Sequence, residues 1–204
     1  MAASDSKGAF GFRHWIELLL GAVAVAVSAI SLWVAIGTEQ ANRQMVAAAS
    51  WPLLQGDTSN LPEHGRPVIT ASILNGGIGP AKLKTLEIFW RGKAYSGAAS
   101  LLKACCGFKP FTGPADLSTV GRTGITTAGV RNIVILAGEK HTFLAMPLGS
   151  DNVAVWRKLD RARREVKLRA CYCSVFDECW ISTLVDLEPK RVDKCPAVKT
   201  PYVE

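Results

Sequence analysis

Residues 18–36, LLLGAVAVAVSAISLWVAI, run for nineteen positions without a charge, and only Gly21, Ser28 and Ser31 interrupt the apolar side chains. At about 1.5 Å per residue a helix of this length covers about 28 Å, close to the roughly 30 Å hydrocarbon core of a bilayer. A buried helix of a water-soluble domain would keep a polar face, and this run has none. It reads as a membrane span and divides the chain into a cytoplasmic tail over 1–14, a transmembrane helix over 15–37, a juxtamembrane helix over 38–50 and an extracytoplasmic domain over 51–204.

Trp15 and Trp33 stand near the two ends of the run, where indoles act as interfacial anchors. Lys7, Arg13 and the amino terminus precede it while Glu39 and Arg43 follow, so the positive-inside bias puts the N-terminus in the cytoplasm and the domain in the periplasm, across an inner membrane. Glu17 falls in the first turn, where a carboxylate suits a helix N-terminus and stays in the interface rather than relaying protons. A cleaved signal peptide is the alternative, because Ala35-Ile36-Gly37 has small residues at cleavage-like positions. Signal cores run roughly 7–15 residues, so nineteen favour an uncleaved anchor. Good helix formers continue over 38–50 until Trp51-Pro52, where the residue before proline is pushed out of the helical region.

Residues 51–204 are enough for one domain with its own core. The stretch 66–74, RPVITASIL, alternates Val68, Thr70, Ser72 and Leu74 against Ile69, Ala71 and Ile73. Turn-rich NGGIGPA follows, and KLKTLEIFW over 82–90 resumes a strand. Further strands are expected over 132–136, 141–146, 165–173 and 179–187, with helices over 96–106 and 151–164, the second capped by Ser150 or Asp151. Trp156 belongs with Val153 and Leu159 on the core face of that helix. Residues 107–129, rich in Gly, Pro and Thr without a period, read as a long surface loop. The fold class is mainly β: a transmembrane helix, then a β-sandwich with one or two short inserted helices.

Trp51-Pro52, the segment Asn75-Gly76-Gly77-Ile78-Gly79-Pro80-Ala81 and the run CYCSVFDECW over 171–180 resemble a pattern of uncharacterised bacterial single-span proteins with an immunoglobulin-like extracytoplasmic domain. The resemblance implies architecture and location, without an activity. At the glycines the sequence predicts a turn or bulge with positive φ, stiffened by Pro80. A phosphate cradle there lacks the helix that should follow it.

All six cysteines, 105, 106, 171, 173, 179 and 195, follow the span, as an oxidising compartment requires. A hairpin with SVFDE at its tip sets Cys173 opposite Cys179, within bridging distance. Cys171 shares a face with Cys173 but stands too far along the strand to bond it. Cys171 and Cys195 are then left for Cys105 and Cys106, in either order. A soft Cu(I) or Zn²⁺ site at Cys171-x-Cys173 with Cys105-Cys106 is the alternative use of these thiols, yet the three histidines offer no ligand spacing. Thiol exchange would want a Cys-x-x-Cys at a helix N-terminus, and none exists. No cofactor or metal is expected.

Ser100-Leu101-Leu102-Lys103, Ser150-Asp151-Asn152 and Lys199-Thr200-Pro201 follow the order of the penicillin-binding motifs, but Pro201 stands where glycine must let a strand approach the substrate. His64 beside Glu63 reads as a solvated pair and His141 as a strand start, with no nucleophile partnered to either. The chain therefore reads as a non-enzyme. Its net charge of +7 is concentrated in 156–169, WRKLDRARREVKLR. Outside the cytoplasm the partner for Arg157, Lys158, Arg161, Arg163 and Arg164 is an anionic lipid headgroup or an acidic protein rather than nucleic acid, and a merely solvated helix face is the plainer alternative. The expected role is a membrane-anchored binding or accessory module in contact with a protein partner, or a small subunit of a membrane complex. The alternative is a membrane-tethered enzyme or thiol- and metal-handling protein built on the cysteine-rich hairpin.

Overall fold

A computed structural model describes residues 6–63, 65–109 and 124–203; His64, residues 110–123 of the expected loop and the start of the N-terminal tail lie outside these. The chain divides into two compact units, Met1–Ala48 and Ala49–Glu204. The first is occupied by α1, Ser6–Ala49, 44 residues long. From His14 onward α1 is long and apolar enough to cross a membrane, and none of its most apolar window is buried by protein. Trp15 and Trp33 are both strongly exposed. The Ser28 and Ser31 hydroxyls donate to the Ala24 and Val27 carbonyls, each at 2.8 Å, so neither polar side chain carries an unpaired donor into the apolar run. The expected span and juxtamembrane segments are one uninterrupted helix, which ends at Ala49 just ahead of Trp51-Pro52.

The second unit contains, in chain order, β1 (Leu54–Ser59), β2 (Pro62–Glu63), β3 (Arg66–Asn75), β4 (Ala81–Trp90), β5 (Lys93–Tyr95), α2 (Ala98–Cys106), β6 (Thr126–Thr127), β7 (Ile133–Ile135), β8 (Lys140–Pro147), α3 (Val153–Ala162), β9 (Val166–Cys173), β10 (Cys179–Ser182) and β11 (Lys190–Val192). These form two antiparallel sheets. One has the order β1-β3-β8-β6 with β2 on β3, the other β11-β10-β9-β4-β5 with β7 on β4. Ile73, Phe143 and Leu144 of the first share a core with Leu83, Leu86, Ile88, Ala170 and Tyr172 of the second, register shifts at Ala71/Ser72 and Leu83/Thr85 interrupting the period-two alternation. At the Ile69–Met146 end of β3 and β8, Leu102 and Cys106 of α2 and Leu159 and Ala162 of α3 form a second cluster with them. Tyr202 is planted in the first cluster edge-on to Phe143, ring centroids 5.5 Å apart, and its N–H donates to the Leu86 carbonyl at 2.7 Å.

Segment 76–80 carries the chain from one sheet to the other, and buried Asn75 secures it. Asn75 Oδ1 accepts from the N–H groups of Leu53 (3.2 Å) and Gly77 (3.0 Å), while Nδ2 donates to the carbonyls of Gly79 (2.8 Å) and Ile135 (3.0 Å). The glycines do something other than expected. Gly76, Gly77 and Gly79 are absent from the positive-φ glycines. What they supply is room: a Cβ on Gly77 would collide with Leu53 N and Trp51 O, and one on Gly79 with the Ser50 carbonyl.

Three expected elements shift. The helix over 96–106 opens two residues later, at Ala98. The strand over 179–187 stops at Ser182, because Leu184 takes φ +63° and the Asp186 carboxylate accepts from the Thr183 N–H at 2.7 Å in a turn. Asn152, rather than Ser150 or Asp151, precedes the first turn of α3.

Gly79→Ala forces backbone apart, and Asn75→Ala leaves buried polar groups of Leu53 and Ile135 unpaired, so each should lower unfolding stability by about 2–4 kcal/mol. Urea titration of the purified chain measures both; a loss below about 0.5 kcal/mol for Gly79→Ala contradicts the close-approach role.

Candidate functional site

The two clusters do not close on each other completely. Between them lies a cavity of about 430 Å³ whose walls are Ile69 and Ala71 of β3, Ile88 of β4, Phe143 of β8, Leu101 of α2 and Leu159 of α3. Its mouth is the seam between β1 and β9, with Asp57, Thr58, Arg163, Lys167 and Thr183 around the rim.

Local pairing explains the opening. β10 pairs with β9 only over residues 170–173, so the 166–169 stretch of β9 has a neighbour on one side alone. β1 pairs with β3, and its Gly56 N–H donates to the carbonyl of Leu184, in the turn after β10, at 2.8 Å. Leu168 then fits beneath β1 because Gly56 has no side chain: a Cβ there would lie 3.1 Å from Leu168 Cδ1. A polar brace spans the mouth. Arg163 Nε donates to Asp160 at 2.9 Å and Nη1 to the Thr58 carbonyl at 3.3 Å, and Asn60 Nδ2 donates to the same Asp160 carboxylate at 3.0 Å. Asp57 is neutralised by Lys140.

The remaining rim charge is Lys167, exposed and without a carboxylate partner among the described residues. Arg157, Lys158, Arg161 and Arg164 are likewise exposed and unpaired with acids among the described residues, whereas Arg163 belongs to the brace. The opposite face of α3 packs Val155, Leu159 and Ala162 into the second cluster. Half-buried Trp156 packs there too, with its indole N–H on the Met146 carbonyl at 3.1 Å.

The cysteines pair as Cys173–Cys179, Cys171–Cys195 and Cys105–Cys106. Cys173 and Cys179 are directly opposed in the β9–β10 register. The expected bonds from Cys171 and Cys195 to Cys105 and Cys106 are not formed. Cys171 borders a depression beside Glu87, Arg169 and residues 196–200, so Cys195 reaches it, whereas Cys105 and Cys106 end α2 against the second cluster. Cys173 and Cys195 bring their sulfurs within 3.9 Å, and those of Cys173, Cys179 and Cys195 all fall within 4.8 Å. Bonded in pairs, they present no thiolate to a metal ion.

The three stretches that follow the penicillin-binding order stand on separate elements. The Ser100 hydroxyl donates to the Gly97 carbonyl at 2.7 Å, at the start of α2. Asn152 accepts from the Gly149 N–H and donates to the Pro147 carbonyl, both at 2.9 Å, and Lys199 borders the depression beside β4 and β9. His141 Nε2 is 2.9 Å from the Gly129 carbonyl oxygen.

Sequence reasoning missed the cleft, since its walls converge from five elements and no local pattern shows that these leave a space between them. Comparison with known proteins gives no matching family model, no matching curated protein and no matching solved structure.

Two predictions concern the hairpin and its surroundings. Removing the bridge that closes 24 residues, with Cys171→Ala and Cys195→Ala together, should cost about 3.5 kcal/mol, against about 2 for the six-residue Cys173–Cys179 loop, by loop-closure entropy. Denaturant titration of both double variants checks the order. Lys82, which pairs with Asp177, holds that carboxyl below the usual carboxylate range. A lowered folded-state pKa gives stability that is present above about pH 4 and lost as pH falls through the folded value. Asp177→Asn should flatten the acid limb of the stability–pH curve; an unchanged limb contradicts the pairing.

Proposed function

We propose that this chain is a single-pass, membrane-anchored binding module of a bacterial cell envelope. In this reading its N-terminus is cytoplasmic, α1 lies in the inner membrane, and Ala49–Glu204 is an immunoglobulin-like β-sandwich in the periplasm. The open apolar cleft carries the reading: an otherwise closed core leaves a cavity of about 430 Å³ whose mouth is tied by the Arg163–Asp160–Asn60 brace, the arrangement a ligand site needs. A bare apolar α1 supports the anchor, and six bonded cysteines support an oxidising compartment. The role is binding or accessory, alone or as a small subunit beside a protein partner. A second reading, thiol or metal handling, draws on the sulfurs of Cys173, Cys179 and Cys195, within 4.8 Å of one another, and requires that their bridges first be reduced.

Alkaline phosphatase fused after Glu204 should be active in a bacterial host, and an inactive fusion overturns the topology. The native protein should yield no free thiol with a maleimide reagent under denaturing conditions. A reproducible reactive pair moves the weight to the thiol-handling reading.

A further inference from the structure

We infer that the cleft between β1 and β9 takes a single acyl chain of an anionic amphiphile and that Lys167 receives its acidic head. This rests on the binding-module reading and names the ligand class of that site.

The wall chemistry decides between occupants. Ile69, Ala71, Ile88, Leu101, Phe143 and Leu159 offer no hydrogen-bonding side chain, so an occupant gains by burying hydrocarbon and loses by bringing unpaired polar groups. A peptide strand brings an N–H and a carbonyl with every residue. The free edges of β1 and of residues 166–169 of β9 lie along the seam at the mouth, whereas the apolar walls inside the cavity offer such groups nothing. A methylene chain makes no such demand. At about 430 Å³ the cavity sits near the lower end of the roughly 300–1,000 Å³ range of small-ligand pockets, which suits one chain and not a two-chain lipid.

Charge at the mouth sets the head. Arg163 is balanced by Asp160 and Asp57 by Lys140, which cancels two of the three cations near the rim. Lys167 has no acid among the described residues, and exposed Arg161 and Arg164 flank Arg163 in sequence, so these cations outnumber the Asp186 carboxylate held on the Thr183 N–H at the rim. An acid there gains a charge-assisted hydrogen bond from the Lys167 ammonium at no cost to the existing pairs. A chain anchored by α1 would find such amphiphiles at hand in the bilayer.

The test uses the full chain in phosphatidylcholine vesicles with a sixteen-carbon fatty acid carrying a diazirine at its far end, the labelled peptides being mapped by mass spectrometry. Cross-links should appear in peptides containing Phe143, Leu159 and Leu168, and excess palmitate should suppress them at least about tenfold better than hexadecanol. Lys167→Glu, an exposed change that leaves the core alone, should weaken cleft labelling about tenfold. Ala71→Trp, which fills the cavity, should abolish it while labelling of α1 persists; circular dichroism checks that this variant folds, and Lys167→Glu serves if it does not. Label confined to α1 in the unaltered protein overturns the inference. Equal competition by hexadecanol overturns the acidic head. A photoreactive residue at Thr183 in native membranes should capture lipid, and capture of a polypeptide instead overturns the acyl occupant. An active phosphatase fusion with α1-only labelling sinks this inference alone, while an inactive fusion sinks the envelope reading whatever the label shows.

Discussion

The side chain of Asn75 is the tie on which the domain's geometry depends. Its amide satisfies two N–H donors and two carbonyls, and its own backbone bonds Glu139 and Gly138, so one buried residue joins the chain ahead of β1, the crossover between sheets, β7 and the turn before β8. A buried amide is worth little net while every bond is made and costs heavily when one is lost. The crossover therefore has one arrangement, and strands on either side of it are committed to different sheets. That commitment places Ile73 and Leu83 on facing walls.

With the sheets joined at this end, their other end is free to diverge, and α2 and α3 fill the wedge. Two clusters result, and a cavity is left between them. Such a void forfeits the dispersion contacts a filled core would gain. The fold tolerates that loss with three disulfides and a polar brace around the mouth, where Arg163 and Asp160 hold α3 against β1. Rim and core thus serve different ends: one fixes the mouth of the cleft, the other keeps the sheets together.

Much of this was legible in the chain, though unevenly. Nineteen uncharged positions could only describe α1, and the alternation in 66–74 and 82–90 gave two central strands, because apolar periodicity is a local property. β1, β2, β5, β6 and β11 escaped notice, β6 lying within the stretch 107–129 read as a loop: LQGDTS and its counterparts are short and acquire strand form from their neighbours. The glycines of 76–79 were correctly singled out for the wrong reason, since a sequence displays the missing Cβ but not whether torsion or proximity demands its absence. Cysteine pairing failed in the same way beyond Cys173–Cys179. That bond follows from hairpin register, while Cys171–Cys195 depends on where residues 193–203 cross the second sheet.

Tyr202 carries a consequence of a different kind. Its ring completes the first cluster, yet it emerges from the ribosome after every other member of that cluster, well over a hundred residues behind Leu54. Synthesis at about 5–20 residues per second leaves the partnered strands waiting for several seconds with one face unsealed. The first cluster is thus incomplete until residue 202 is made, and Cys195 stands seven residues ahead of it. The Cys171–Cys195 bridge tethers this segment beside its seat, so once it has formed a displaced ring searches a short loop rather than a long one.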